Sequence, residues 1–255
     1  MLVKRKKVGV FIGGTLGFSL LEVLINSKEV ELRLVALSDS SLLELATSRK
    51  DLKEVEVIII PSSILDKDTE QIFIKSKLDV LFLLYWPFMV SNESIRALSA
   101  PIFNCHLSLL PFNRGKNPNV WPIIDGTPAG VTIHQIDEGI DSGLIVCQQE
   151  IMVDILDTGE SLYRRLCQAM LELFKSKCDE ILRGDFTFKE NNLSLGNLNF
   201  SQRFQKEKEI SLSESISPII LINKLRAYTF TPYESAYFYL GERKISIRIQ
   251  LSEEN

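Results

Sequence analysis

Residues 4–25 read KRKKVGVFIGGTLGFSLLEVLI, and the fold turns on whether this stretch is a leader or the first unit of a sheet. Basic residues ahead of a long apolar run match a secretory leader. Against that, Glu22 interrupts the run, no A-x-A-like site closes it, and VGVFIGG followed by TLGFSLLEVLI has the pattern of strand, glycine turn and helix. The strand reading is adopted, and with it a cytoplasmic location.

Working outward, short β-branched runs (KVGVFI, ELRLVAL, VEVIII, VLFLLY, APIFNC) alternate with helical segments such as SLLELATSRK and NESIRALS. That alternation predicts βαβ units, hence an α/β fold with a Rossmann-like, mostly parallel twisted sheet and helices on both faces. GVTIHQI and LIVCQQEIMV follow, joined by the turn-rich DEGIDSG, so a hairpin and a mixed sheet are expected. The run LDVLFLLYWPFMV is too short to span a membrane and contains Pro87; it reads as a buried strand leaving the core. The longest expected helix covers TGESLYRRLCQAMLELFKSKCDEILRG, with an N-cap at Asp157 or Thr158, Glu160 in its first turn and Gly184 at its end. Beyond it the polar stretch NNLSLGNLNFSQRFQKEKEISLSES reads as a linker, SPIILINKLRAYTF as a short helix, and SAYFYLGERKISIRIQL as a hairpin turning at Gly241 and Glu242. A main domain over residues 1–197 and a small α+β module over 198–255 are therefore predicted.

The chain has 255 residues, 45% of them hydrophobic, enough for a sizeable core. A net charge of -4 opposes a nucleic-acid binder that works through a broad basic surface. Cys105, Cys147, Cys167 and Cys178 form no C-x-x-C pair and sit in apolar segments, as buried thiols do. GGTLGFS does not match G-x-G-x-x-G: Gly13, Gly14 and Gly17 have the wrong first spacing, and only Asp39 lies just beyond the next strand. A tight strand-to-helix turn is expected there instead of a dinucleotide site.

FNCHLSLLPFNRG, residues 103–115, holds one of the two histidines. Side chains alternate along a strand, so Asn104 and His106 share a face while Cys105 and Leu107 share the other. Two readings stand: His106 is a packed histidine bonded to a carbonyl with Asn104 closing the strand, or the pair opens a site at the carboxyl end of the strand, where parallel sheets place theirs. Asp137 and Asp141 in DEGIDSG supply the carboxylate that a working histidine needs. No nucleophile stands in a recognised elbow; Ser108 qualifies on spacing alone, and Cys105 points away. Amide, imidazole and carboxylate without a nucleophile suggest acyl transfer by direct attack of a substrate group on a bound carbonyl. His134, mid-strand in GVTIHQI, reads as structural or supporting. No second histidine or cysteine stands at ligand spacing, so no metal is expected.

These residues carry a resemblance. N-x-H-x-S-L-L-P, G-V-T-x-H and D-x-G-x-D-x-G occur in one order over residues 103–151, and the segment resembles the core of the 10-formyltetrahydrofolate-dependent formyltransferases, with weaker similarity over residues 8–185 and in INKLRAYTFTPYESAYF. The resemblance implies that Asn104, His106 and Asp141 are catalytic. Asn104 and His106 would hydrogen-bond the oxyanion formed when an amine attacks the formyl carbon, and Asp141 would orient His106. It implies a pterin site at Leu84, Tyr85, Trp86 and Phe88 with Asp137 and Gly139 of the turn. The loop LPFNRGKNPNVWP is most similar to that of nucleotide-sugar N-formyltransferases and lacks the RYRGAAPI-like sequence of the tRNA enzyme. Asn113, Arg114, Lys116, Asn117 and Asn119 supply donors for a diphosphate and sugar hydroxyls, and Trp121 and Trp86 offer stacking faces. The implied acceptor is a dTDP- or GDP-linked 4-amino-4,6-dideoxyhexose, with a 3-amino sugar left open, in O-antigen or lipopolysaccharide biosynthesis. A homodimer without nucleic-acid or membrane partners goes with it. The alternatives are a methionyl-tRNA or glycinamide-ribonucleotide formyltransferase, or a noncatalytic folate- or nucleotide-binding module.

Overall fold

The computed structural model describes residues 5–60, 67–98 and 100–254. Lys4 of the opening stretch and Ser99 of NESIRALS lie outside the described residues. In chain order the elements are β1 (Lys6–Ile12), α1 (Gly14–Asn26), β2 (Val30–Leu37), α2 (Leu43–Thr47), β3 (Glu56–Ile59), α3 (Lys67–Ser76), β4 (Val80–Leu84), α4 (Asn92–Leu98), β5 (Ile102–His106), β6 (Arg114–Gly115) and α5 (Trp121–Asp125). There follow β7 (Ala129–Gln135), β8 (Ile145–Ile151), α6 (Gly159–Arg183), β9 (Leu198–Asn199), α7 (Ser201–Glu207), α8 (Pro218–Ala227), β10 (Ala236–Leu240) and β11 (Arg243–Ile247).

The opening stretch is strand, turn and helix, as its pattern predicts. Gly13 explains the glycines: its N–H donates to the Leu84 carbonyl, and a Cβ on it would meet the Tyr85 carbonyl oxygen at 2.1 Å. Only a glycine lets the β1–α1 turn lie this close to the end of β4. The seven-stranded sheet has the order β3-β2-β1-β4-β5-β7-β8. β1 pairs in parallel with β2 and β4, and β4 with β5, whereas β7 runs antiparallel to β5. The expected mixed sheet is present, and Gln135 N–H donates to Leu144 O across the turn between β7 and β8. Val80 to Leu84 are buried throughout, which accounts for their unbroken apolar run.

The chain divides into two compact units. Residues 1–106, 132–147 and 170–191 form the first, residues 107–131, 148–169 and 192–255 the second. The core of the first includes Phe11, Leu34, Phe73, Leu81, Leu83 and Ile102, each buried apolar side chain contributing about 1.5–3 kcal/mol. In the second, Trp121 is fully buried beside Phe204, with the Arg203 guanidinium 4.3 Å from the Trp121 ring and paired to Asp125 at 2.7 Å. These contacts correct the linker reading of residues 191–215. The stretch is polar, yet β9 pairs with β6 and Phe204 and Arg203 on α7 anchor to α5. The tail forms the expected hairpin, with Tyr237 opposite Ser246 and Leu240 opposite Arg243.

At α6 the Ser161 N–H donates to Thr158 Oγ1 and the Thr158 N–H to Ser161 Oγ, which makes Thr158 the cap. Asp157 instead accepts from Ser161 Oγ and pairs with Arg165. All four cysteines are free thiols, with Cys105 and Cys178 buried. Burial pushes the Cys147 thiol up to about 11 and that of Cys178 up to about 12.

Candidate active site

β5 ends at His106 with the burial alternation that the sequence demands: Phe103 and Cys105 are buried, Asn104 and His106 half-buried. Asn104 lies directly across from His134 on β7, and His106 across from Thr132. Asn104 Nδ2 is 3.2 Å from His134 Nε2, and His134 Nδ1 is 3.0 Å from the Gln135 carbonyl oxygen.

Asp141 closes the group. Its Oδ2 is 3.6 Å from His106 Nε2 and its Oδ1 is 3.6 Å from His134 Nε2, so one carboxylate lies between two imidazoles. Both distances exceed a direct hydrogen bond and are those of an ion-pair contact. The side chains of His106 and Asp141 retain 11% and 13% exposure, enough for a substrate to reach them, whereas His134 has none.

The turn that carries Asp141 is built to hold it. Asp141 has φ +48, a left-handed conformation that costs a non-glycine residue of order 1 kcal/mol and is held by its surroundings. Asp137 Oδ1 accepts from Gly139 N at 3.0 Å and Ser142 Oγ at 2.6 Å. Asn191 Nδ2 donates to the carbonyls of Asp141 and Gly143. A Cβ on Gly143 would meet Gln135 O at 1.9 Å, so this end of the turn must be glycine to lie on β7. Asp137 is thus occupied in holding the turn, while Asp141 faces the histidines. Asn191 was not legible in the sequence: it stands 50 residues away in a stretch that reads as linker.

The other candidate positions fall into two groups. Near the end of β4, Leu84 is buried, Tyr85 has φ +60 and is 36% exposed, and Trp86 packs on Phe11 and Phe88 at 4.9 and 5.4 Å. The loop residues lie in the second unit. Asn113 is fully buried, its amide donating to Pro128 O and accepting from Thr127 Oγ1. Asn119 is 8% exposed and donates to Gly159 O. Trp121 has no exposed surface and donates its indole N–H to Lys116 O, so it offers no face for stacking. That corrects the stacking expectation: the ring fills the core beneath the loop. Arg114 and Asn117 are half-buried and Lys116 is exposed. Among the described residues no group of three or more His, Cys, Asp or Glu side chains is placed to hold a metal ion. No described helix is long and apolar enough to cross a membrane.

An amide and an imidazole on one strand face, with a carboxylate behind them, form a donor set for a carbonyl oxygen that gains negative charge. Sequence comparison agrees with that chemistry. Residues 22–176 match the family described as "Formyl transferase". The chain belongs to the formyl transferase family. Residues 204–253 match "N-formyltransferase dimerization C-terminal domain". A dTDP-4-amino-4,6-dideoxyglucose formyltransferase of Mycobacterium tuberculosis is 36% identical over 152 residues, which are 59% of this chain and 64% of the relative. The chain thus matches slightly under two thirds of that relative's length. Among solved structures, a 4-N formyltransferase from Francisella tularensis superposes with TM-score 0.83 at 28% identity, covering 98% of this chain and 99% of the other. An N-formyltransferase from Helicobacter canadensis, crystallised with folinic acid and dTDP-3-aminofucose, shares the fold with TM-score 0.69 at 21% identity, covering 94% and 86%.

Proposed function

We propose that this formyl transferase moves a formyl group from 10-formyltetrahydrofolate to the amine of a dTDP-linked 4-amino-4,6-dideoxyhexose. The observation that carries the reading is the convergence of Asn104, His106 and Asp141, with His106 Nε2 3.6 Å from Asp141. Support for the acceptor comes from the names of the 36% identical mycobacterial relative and the 28% identical Francisella structure.

When bound, the folate supplies an acyl carbon open to attack by an amine. Asn104 donates an N–H to the oxygen as it gains charge, and His106 hydrogen-bonds it and moves the proton. Asp141 orients the imidazole, offsets positive charge developing on it and helps deprotonate the incoming ammonium. The donor set suits a formyl oxygen, and Tyr85 and Met89 expose apolar surface at the end of β4 against which a flat pterin ring can rest. In this reading Leu84, Tyr85, Trp86, Phe88 and the turn containing Asp137 and Gly139 hold the pterin, and Arg114, Lys116 and Asn117 meet the nucleotide and sugar. Asn113, Asn119 and Trp121 support that loop from beneath.

The catalytic region spans residues 1–197 and the C-terminal module 198–255; the enzyme is cytoplasmic and acts in lipopolysaccharide or O-antigen synthesis. The module exposes Leu212, Ile216, Ile219, Ile220, Tyr239 and Leu240, surface that a second copy would cover in a homodimer. Sedimentation of wild type as a dimer and of Ile219→Asp as a monomer is the expected behaviour.

The test of function is an acceptor panel with 10-formyltetrahydrofolate: dTDP- and GDP-linked 3-amino and 4-amino sugars, charged initiator tRNA and glycinamide ribonucleotide. A mass gain of one formyl group on the dTDP-linked 4-amino sugar is expected. Its rate should rise with pH as the amine loses its proton. Formylation of tRNA alone contradicts the acceptor, and binding without turnover across the panel contradicts the activity.

A further inference from the structure

Two readings of His134 follow from its burial alone: a histidine packed in the sheet, or a member of the site. The ring's partners distinguish them. The Gln135 carbonyl oxygen, 3.0 Å from Nδ1, can only accept, so Nδ1 carries a proton. Nε2 faces Asn104 Nδ2 at 3.2 Å, and an amide nitrogen can only donate. Nε2 is therefore the lone-pair nitrogen of a neutral ring.

We propose that His134 is a positioning residue: as the neutral, Nδ1-protonated tautomer it takes one N–H of the Asn104 amide on Nε2 and so aims the second N–H, instead of the amide oxygen, at the reacting oxygen. The proposal rests on the formyltransferase reading for the identity of that oxygen. The two ends of an amide differ in chemistry and hardly in shape, so without a fixed partner Asn104 is free to present an acceptor where a donor is needed. The cross-strand pairing of Asn104 with His134 supplies that partner from rigid backbone.

Charge placement supports the same assignment. A second proton on His134 would turn Nε2 into a donor facing a donor, and the amide would have to rotate. Asp141 Oδ1 is 3.6 Å from this Nε2, and Asp141 Oδ2 faces His106 Nε2 equally closely. The imidazole centroids are 6.1 Å apart, so two charged rings beside one carboxylate repel. A proton that enters on His106, the partly exposed ring, leaves His134 neutral and Asn104 correctly turned.

The chain has only two histidines, so nitrogen NMR of the full-length wild-type protein reads two imidazoles, and the His134→Gln spectrum, which keeps only His106, assigns the other set to His134. The expected His134 set at neutral pH shows a protonated Nδ1 and a bare Nε2; protonation at Nε2 would overturn the proposal. In kinetics on the otherwise wild-type enzyme, His134→Leu removes the acceptor and should lower kcat by about 10- to 100-fold with KM within about twofold, part of the cost of losing an oxyanion donor. His134→Gln can offer an oxygen to Asn104 and should restore kcat to within about threefold of wild type. An active Leu variant, or a folded Gln variant as slow as Asn104→Ala, would overturn the proposal. Should His134→Leu fail to fold, the spectrum and the Gln variant decide. If wild type formylates no acceptor, the functional reading fails on its own, and the tautomer is still read from the spectrum.

Discussion

Two polar regions of this chain look alike as sequence and differ in what the fold does with them. In 137–143 the turn spends Asp137, Ser142 and the distant Asn191 on holding its own backbone, and leaves Asp141 facing His106 and His134. In 110–122 the fold spends Asn113, Asn119 and the Trp121 indole on internal bonds, and leaves Lys116 at the surface. Residues that would recognise a ligand and residues that shape a loop come from the same alphabet. What separates them is burial: Asp141 keeps 13% of its side chain exposed, whereas Asn113 and Trp121 keep none.

The contrast breaks most readily at His106. His106→Gln should lower turnover by roughly a thousandfold or more while leaving ligand affinities within about an order of magnitude, because the role proposed for it lies in the transition state. Stopped-flow rates beside calorimetric binding check this. Next come the two aspartates. Asp141→Asn should cost about a hundredfold in kcat, whereas Asp137→Asn, which keeps an acceptor for Gly139 and Ser142, should cost less than about tenfold. The reverse order in a parallel assay would mean that the wrong carboxylate has been assigned to catalysis.

The loop should fail in a different currency. Trp121→Ala should destabilise by about 3–5 kcal/mol through the cavity it leaves, and Asn113→Ala by about 1–3 kcal/mol through unpaired partners. Denaturant titration measures both, and a change confined to KM would show them to be ligand contacts after all. The smallest effect is expected at the thiols. With Cys147 pushed up to about 11, only about one thiol in a thousand is ionised at pH 8, so iodoacetamide should label it far more slowly than an exposed peptide cysteine. Rapid labelling of the native protein at pH 8 would contradict that burial.

What was legible in the sequence follows the same division. β1 with its glycine turn, the mixed sheet, the long α6 and the terminal hairpin are set by local periodicity and punctuation. The shared face of Asn104 and His106 follows from strand alternation. Asp141 could be named without geometry only through the order of the three motifs; from the residues alone it was one of two candidates. Neither the consumption of Asn113 and Trp121 nor the ordering of residues 198–207 was legible, because their partners lie far along the chain: Thr127 and Pro128 for Asn113, Arg203 and Phe204 for Trp121. A polar residue advertises its hydrogen-bonding capacity in sequence, but not whether a tertiary contact will use it.

The central claim is that Asn104, His106 and Asp141 pass a formyl group to the amine of a nucleotide-linked sugar. The most direct measurement supplies 10-formyltetrahydrofolate carrying a 13C-labelled formyl group, together with the dTDP-linked 4-amino-4,6-dideoxyhexose, to wild type and to His106→Gln, and follows the label by NMR. The account predicts a labelled formamide whose signal correlates with the proton at C4 of the sugar in wild type, and no such signal over the same time with His106→Gln. Equal build-up of that formamide with both proteins would contradict it, as would label that stays on the folate with wild type.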